Sequence, residues 1–433
     1  MAASAPLMLD IRLLRESPDV VRNDLRKRGR DPAAVDTLLA HDIAWRDGLA
    51  RLNDLKAQRN KAAAAISIAK KEKQDASEAI AEMGNLGADI KALELAVEES
   101  LQERDALHRR LPNIMHESVP VGNDDGDNVL LRDWGGRPTH SFAAASHVNL
   151  LESLDIADLE RAARASGSRF AYLKGDLVLL GRALELFALK MLRERGFTAI
   201  EPPYMLRREA VEGAVDLADF EEVIYKIEGE DLYLIATSEH PIAALRMGEI
   251  IATSQLPLRY AGVSACFRKE AGAHGKDTKG IFRVHQFSKV EQFVFCAPDE
   301  SWAIHEELLA NAEAMYQALG IPYRVVTICT GDLGTIAAKK YDIEAWMPVQ
   351  GAYREVVSCS NCTDYQARRY NTRYRENPGD ATAMVHTLNS TAIAVQRTLV
   401  AILENFQNED GSVAIPEVLQ PYVGIDQLTA VAP

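Results

Sequence analysis

The chain has 433 residues, 47% of them apolar and 26% charged, with a formal net charge of −14. That length holds two or three domains with a full core, and no apolar run is long enough to span a bilayer. The acidic balance excludes a protein that coats nucleic acid non-specifically but leaves room for a local basic face. Met1 to Leu9 are too short and uncharged for a secretory signal, and five cysteines fit a reducing compartment, so a cytoplasmic location is expected.

Residues 1–35 carry short apolar clusters, with Ser17-Pro18 as a helix start. From His41 to Leu107 proline is absent, glycine is sparse, and Ala, Glu, Lys, Gln and Leu dominate. Trp45, Leu49, Leu52 and Leu55 recur at three and four. A second stripe runs through Ile80, Met83, Leu86, Ile90, Leu93, Val97 and Leu101. With a break near Gln74 to Ser77, this spacing predicts two helices forming an antiparallel coiled-coil hairpin roughly 45 Å long. Residues 44–73 hold eight basic and three acidic side chains, and residues 74–107 hold two basic and nine acidic ones. Mutual pairing of the helices accounts for this split. So does a basic first helix that also tracks a phosphate backbone. Lys70, Lys71 and Lys73 lie near the tip, where pairing is weakest.

After Leu111-Pro112-Asn113, the Gly/Asp/Asn-rich stretch Val121 to Asn128 marks a domain boundary. It separates a helical domain, 1–112, from a larger domain, 113–433. In the latter, Gly181 to Arg195 predicts a helix ended by Gly196, and Phe197 to Ile200 a strand stopped by Pro202-Pro203. Further strands are expected at Val223 to Ile227, Leu232 to Ile235, Leu258 to Phe267, Phe282 to Lys289, Gln292 to Phe295 and Tyr323 to Ile328. Helices are expected at Ser301 to Leu319 and Ser390 to Phe406. Short gaps between strands favour an α+β fold, an antiparallel sheet with helices laid on it. No Gly-rich dinucleotide or P-loop motif occurs. Cys359 and Cys362 have C-x-x-C spacing but no second ligand pair, so they read as packing or loop cysteines.

The densest signal is Cys266 to Phe295. Arg268 and Glu270 are two apart; Gly272, Gly275 and Gly280 follow; then Arg283, His285, Phe287, Lys289 and Glu291 alternate. Alternation places such residues on one strand face. Arginines, an aromatic ring and carboxylates there make a poor core but suit an anionic planar ligand with an amine nearby.

These residues resemble the seryl-tRNA synthetases, a family of class II aminoacyl-tRNA synthetases, and the likeness runs from the helical arm to Pro416-Glu417 and Pro421-Tyr422. Gly196 to Pro203 resembles the first class II signature. Cys266 to Glu270, continuing through Glu291, resembles the second. Leu388-Asn389-Ser390-Thr391 through Arg397 resembles the third. The resemblance implies a class II antiparallel sheet flanked by helices, a homodimer, and a ligase that uses ATP and Mg2+. It would activate L-serine to seryl-adenylate and pass the seryl group to the 3′ end of tRNA(Ser). A specialised paralogue supplying activated serine or seryl-tRNA to a secondary pathway is the alternative.

The resemblance places Arg268 on the α-phosphate, Glu270 on the adenine amino group or beside the arginine, Arg283 on the distal phosphates and Phe287 against adenine. It places Arg397 on the γ-phosphate, from a helix beginning near Ser390. Arg268, Glu270 and Arg397 are the expected catalytic residues. Lys269, Val284, Val356 and Val357 complete the ATP contacts, and Glu355 with Ser358 would hold magnesium through hard oxygen donors. Thr237, Ser238, Glu239, Arg268, Glu291, Asn389 and Thr391 would surround serine. Arg51, Lys56, Arg59, Lys70, Lys71 and Lys73 would meet tRNA. Asn389-Ser390-Thr391 stands where the bacterial pattern is Asn-Gly-Ser, a trait shared with eukaryotic and archaeal relatives. The first-step nucleophile is already a carboxylate, so His240, His274 and His285 are expected to be structural.

Overall fold

The computed structural model describes residues 9–138, 140–215, 220–270 and 279–430. Gly272, His274 and Gly275 therefore lie outside the described residues. The chain divides into two compact units, Met1–Leu111 and Pro112–Pro433.

The first unit is helical: α1 (Ile11–Glu16), α2 (Pro18–Lys27), α3 (Ala33–Lys71) and α4 (Ser77–His108). Asp10 caps α1 by accepting from the Arg12 amide, and Pro18 occupies the first turn of α2. α3 starts earlier than the apolar stripe suggested, at Ala33, because no proline interrupts 33–111. α3 and α4 pack together, with contacts that run in opposite directions. Asp42 meets Arg104, Gly48 lies against Val97, and Lys56 pairs with Glu94 at 2.7 Å. A Cβ on Gly48 would come within 2.8 Å of Val97, so glycine permits the close approach. Leu52, Ile66 and Ile90 are buried along this seam, whereas Ile68 and Ile80 near the turn are exposed.

At the base of the pair, Asp42 is fully buried. It accepts from Arg15 Nε at 2.8 Å and Nη2 at 2.7 Å, with Arg46 at 3.1 Å and Arg104 at 3.6 Å. Burial alone would raise its pKa, but the guanidiniums outweigh that and hold the carboxyl below its usual range. Asp42→Ala should therefore destabilise this unit by about 3 kcal/mol, because it removes the buried partner of Arg15 and takes one of two carboxylates from the buried Arg104. Denaturant unfolding of the full chain followed by helical circular dichroism measures this. A lowered carboxyl pKa contributes stability above the ordinary carboxylate range and loses it as pH falls through the lowered value. The gap between variant and parent should thus close in acid; a gap that persists there excludes the charge as its source.

The second unit is built on an eight-stranded sheet: β1 (Val129–Trp134), β2 (Thr198–Ile200), β3 (Leu258–Phe267), β4 (Gln286–Cys296), β5 (Tyr323–Thr327), β6 (Lys339–Met347), β7 (Ala352–Asn361) and β8 (His386–Ala394). Their spatial order is β1-β5-β6-β7-β8-β4-β3-β2. All neighbours are antiparallel except β2 and β3, which run parallel at one edge. Three helices cover one face: α5 (Asp176–Glu194), α6 (Ser301–Ala318) and α7 (Val395–Asn405). Leu180, Leu184, Leu308 and Leu399 join Val290 and Val294 of β4 in one core. Alternation sends Phe293 and Phe295 to the other face, where they pack with Ile242, Tyr260 and Tyr370.

Several local expectations are corrected. Ser390–Ala394 finishes β8 rather than starting a helix, because Ser390, Thr391 and Ile393 pair with Gln292, Glu291 and Val290; the Arg397 helix begins at Val395. Phe282 to Lys289 and Gln292 to Phe295 are not two strands. One continuous strand starts only at Gln286. β3 ends at Phe267, so Arg268 and Glu270 stand in the loop beyond it, and Glu270 has φ +52°. Val223 to Ile227 contributes no strand but the end of a short helix and one bridge, Lys226 to Tyr233. The Gly181 helix begins earlier, at Asp176.

Candidate active site

Two bulges set the site's chemistry. Along β6–β7, Ile343 pairs with Val357 but Glu344 pairs with Glu355, which leaves Val356 as an extra residue. Glu355 and Ser358, three apart, would lie on opposite faces of a regular strand. The bulge brings both to the same face. Along β8, Ala392 is extra between Thr391 and Ile393 in the same way. That re-aims the chain as it enters α7, and Asn389, Thr391 and Arg397 all reach one cavity.

This cavity, about 460 Å³, opens on the sheet face away from the three helices. β4 supplies Phe287, Lys289 and Glu291; the loop beyond β3 supplies Arg268 and Glu270; Arg283 and Val284 stand just before β4. Thr237 and Glu239 enter from the start of the short helix Glu239–Ala244. That segment sits low because β3 has Gly262 beneath it, where a Cβ would come within 2.4 Å of Ile242 and 3.1 Å of Ser238.

The phosphate-binding candidates are held by carboxylates and rings. Arg268 donates through Nε to the Ala236 carbonyl at 3.2 Å and lies 5.1 Å over the Phe287 ring. Arg283 donates to Glu270 at 2.9 Å, so the arginine that Glu270 holds is Arg283 rather than Arg268. Arg397 donates to the Glu355 carbonyl at 2.8 Å, approaches its carboxylate at 3.3 Å and lies 5.2 Å over Phe282. The cleft's desolvation opposes ionisation of Glu355, but Arg397, Lys340 and Arg268 together lower its pKa. His285 donates from Nδ1 to the Arg268 carbonyl at 2.8 Å, 3.0 Å from the Tyr225 hydroxyl, and so secures the loop.

Deeper in the cavity are two carboxylates. Glu291 pairs with Lys289 and accepts from Thr391 Oγ1 at 3.4 Å; burial still raises its pKa. Glu239 is pushed up to about 7, first by burial and then by Glu291. His240 is pushed down to about 3 by burial and by Arg268 and Lys289, so it is neutral at pH 7.

Most residues expected from the sequence meet in this cavity, with three exceptions. Val357 packs into the helix-covered core. Ser238 is buried and donates to the Gly262 carbonyl at 3.4 Å. Lys269 is exposed. Sequence reading missed Lys289 as a site residue, although it stands in the same alternation as Phe287 and Glu291, and it missed Lys340, Phe282 and Gln396. Lys340 alternates with Asp342 along β6, which was a usable signal. In the helical unit, Arg51, Arg59, Lys70, Lys71 and Lys73 are exposed, while Lys56 is half-buried against Glu94.

Residues 222–406 match the family described as tRNA synthetase class II core domain (G, H, P, S and T). The sheet and its cavity are thus a class II synthetase core. Residues 8–115 match the seryl-tRNA synthetase N-terminal domain. A serine--tRNA ligase of Methanocella arvoryzae is 55% identical over 426 residues, 97% of this chain and 100% of the relative. The structure of seryl-tRNA synthetase from Pyrococcus horikoshii complexed with ATP has a TM-score of 0.92 at 52% identity, covering 98% of this chain and 100% of that one. A cytoplasmic serine-tRNA ligase from Naegleria fowleri in complex with AMP gives 0.87 at 37% identity, covering 98% and 99%. The chain belongs to the seryl-tRNA synthetase family.

Glu239→Gln offers a test of the cavity's electrostatics. A carboxyl pKa raised in the fold opposes folding once pH exceeds the ordinary value, so stability falls as pH rises toward about 7. The variant should melt a few degrees above the parent at alkaline pH and together with it in mild acid. Parallel melting at all pH values would show that Glu239 is not perturbed.

Proposed function

We propose that the protein catalyses ATP-dependent activation of L-serine to seryl-adenylate and transfer of the seryl group to the 3′ end of tRNA(Ser). One observation carries this reading: a single cavity collects Arg268, Phe287 and Arg397 beside Thr237, Glu239, Glu291, Asn389 and Thr391. It can receive a triphosphate, a purine and a small zwitterion together.

A serine carboxylate oxygen attacks the α-phosphorus, and the bond to pyrophosphate breaks. Negative charge grows on the α-phosphate oxygens, where the Arg268 fork meets it. Phe287 supports the adenine, and Arg283 and Arg397 face the distal phosphates. A terminal ribose hydroxyl of tRNA then attacks the acyl carbon and AMP leaves. Glu239, Glu291 and Thr391 receive the ammonium and hydroxyl of serine. A buried site built for a hydroxyl leaves polar groups unpaired with alanine and so rejects it.

Magnesium fits the donor set. The β7 bulge turns one carboxylate and one hydroxyl, Glu355 and Ser358, to the same face. Two protein oxygens suit a cation that completes its shell with phosphate and water. It would neutralise phosphate charge there. Among the described residues no cluster of three or more His, Cys, Asp or Glu forms a separate metal cage.

The helical pair α3–α4 is read as a coiled-coil arm, residues 41–107, that meets tRNA through Arg51, Lys56, Arg59, Lys70, Lys71 and Lys73. Its exposed basic side chains support this. Exposed Val129, Leu130 and Leu131 along edge strand β1, with Leu179 and Leu186 on α5, support a homodimer. Among the described residues no helix is long and apolar enough to cross a membrane, and the proposed site of action is the cytoplasm.

An amino-acid panel in ATP–pyrophosphate exchange tests the activity, and serine should be the preferred substrate. Arg268→Ala should lower serine-dependent exchange by about 10²-fold or more; near-parental exchange would overturn its phosphate role. Replacing residues 41–107 with a short linker should spare exchange and cripple charging of tRNA(Ser). Equal loss of both would refute the arm assignment.

A further inference from the structure

Among residues outside the three signature regions, Gln366 touches the amino-acid end of the cavity in a fixed direction. It is fully buried on the short helix Tyr365–Tyr370. Its Nε2 donates to Glu239 Oε1 at 2.8 Å, and its Oε1 accepts from Thr387 Oγ1 at 2.7 Å. An amide donates at one end and accepts at the other. The Thr387 hydroxyl, by donating to the oxygen end, turns the NH2 end toward Glu239. A donor aimed at a carboxyl favours the ionised form.

Glu239 is the carboxylate on which such a donor has leverage. Lys289, the nearby ammonium, pairs with Glu291, which also accepts from Thr391. Glu239 lies between opposed influences: burial and Glu291 favour its acid form, while Gln366, Lys289 and Arg268 favour its carboxylate. A substrate ammonium binds a carboxylate far better than a neutral acid. We propose that Gln366, oriented by Thr387, is a positioning residue that keeps Glu239 ionised and aimed into the pocket, and so sets affinity for the ammonium of the amino-acid substrate. This rests on the reading that Glu239 faces serine.

The test is serine-dependent pyrophosphate exchange across a pH series, with KM for serine and KM for ATP measured separately. Gln366→Met keeps the volume and removes the donor. KM for serine should rise about tenfold or more at neutral pH, as expected for a lost hydrogen bond to a charged group. KM for ATP should stay within about twofold. The acid limb of kcat/KM for serine should move to higher pH. Thr387→Val should shift the limb the same way by less, and Thr387→Ser should retain parental behaviour. Should Gln366→Met fail to fold, the two Thr387 variants carry the comparison. Equal rises in both KM values, or an unmoved acid limb, would overturn the inference. If Glu239→Gln leaves KM for serine at the parental value, the underlying reading of Glu239 fails. If Glu239→Gln raises it while Gln366→Met does not, only the role of Gln366 fails.

Discussion

Phe287, Lys289 and Glu291 share one face of strand β4, and Val290 and Val294 occupy the other; the catalytic unit is organised around that division. The pleat forces it, since successive side chains leave a strand in opposite directions. The apolar face is sealed by α5, α6 and α7, which also take hydrogen bonds with Ser288 and Gln292 of the strand and leave Phe287, Lys289 and Glu291 to the cavity. Charged side chains on the reverse face can then converge, because the hydrophobic burial behind them offsets the cost of drawing their charges partly out of water. The bulges at Val356 and Ala392 extend the arrangement to β7 and β8, where a regular pleat would have turned Glu355 and Ser358 apart.

Convergence of so much charge is tolerated because opposite signs are interleaved before any ligand arrives. Arg283 is held by Glu270, Arg397 by Glu355, and Lys289 by Glu291. Each pair fixes a long side chain that would otherwise lose rotamer entropy on binding. Arg268 is fixed differently, by a backbone carbonyl and the Phe287 face. Its guanidinium meets no carboxylate in those contacts, which in the proposed reading leaves it to the charge that grows on the α-phosphate. Preorganised donors of this kind require little rearrangement at the moment of reaction.

Much of this was legible in the sequence, for reasons tied to particular residues. Period-two alternation through Phe287, Lys289 and Glu291 survives in one dimension, so the strand face could be read directly. The apolar stripes through Leu52 and Ile90 did the same for α3 and α4. What failed was local geometry set by partners distant in sequence. Ser390 to Ala394 looked like a helix start, yet it pairs with residues about 100 positions earlier. Arg268 and Glu270 looked like strand residues because they continue an alternation, but β3 stops at Phe267. Gln366 carried no signal at all, since its role depends on Glu239 and Thr387 meeting in space.

The helical unit answers a different physical problem. Exposed ion pairs contribute little each, so the nine acidic side chains of residues 74–107 do not by themselves hold α4 against the basic α3. Cohesion comes instead from the buried seam of Leu52, Ile66 and Ile90, the close approach at Gly48, and the Asp42 node that ties both helices to α1. Gly48, Leu52 and the Asp42 node lie toward the base, and Ile90 and Ile66 continue the seam toward the turn. Near the turn, Ile68 and Ile80 stand exposed beside Lys70, Lys71 and Lys73. Basic charge there is thus available to a partner rather than consumed by the seam. In the proposed reading this gradient is what a tRNA-binding arm requires: stiffness at the base to fix direction, and a cationic end whose charge attracts a polyanion.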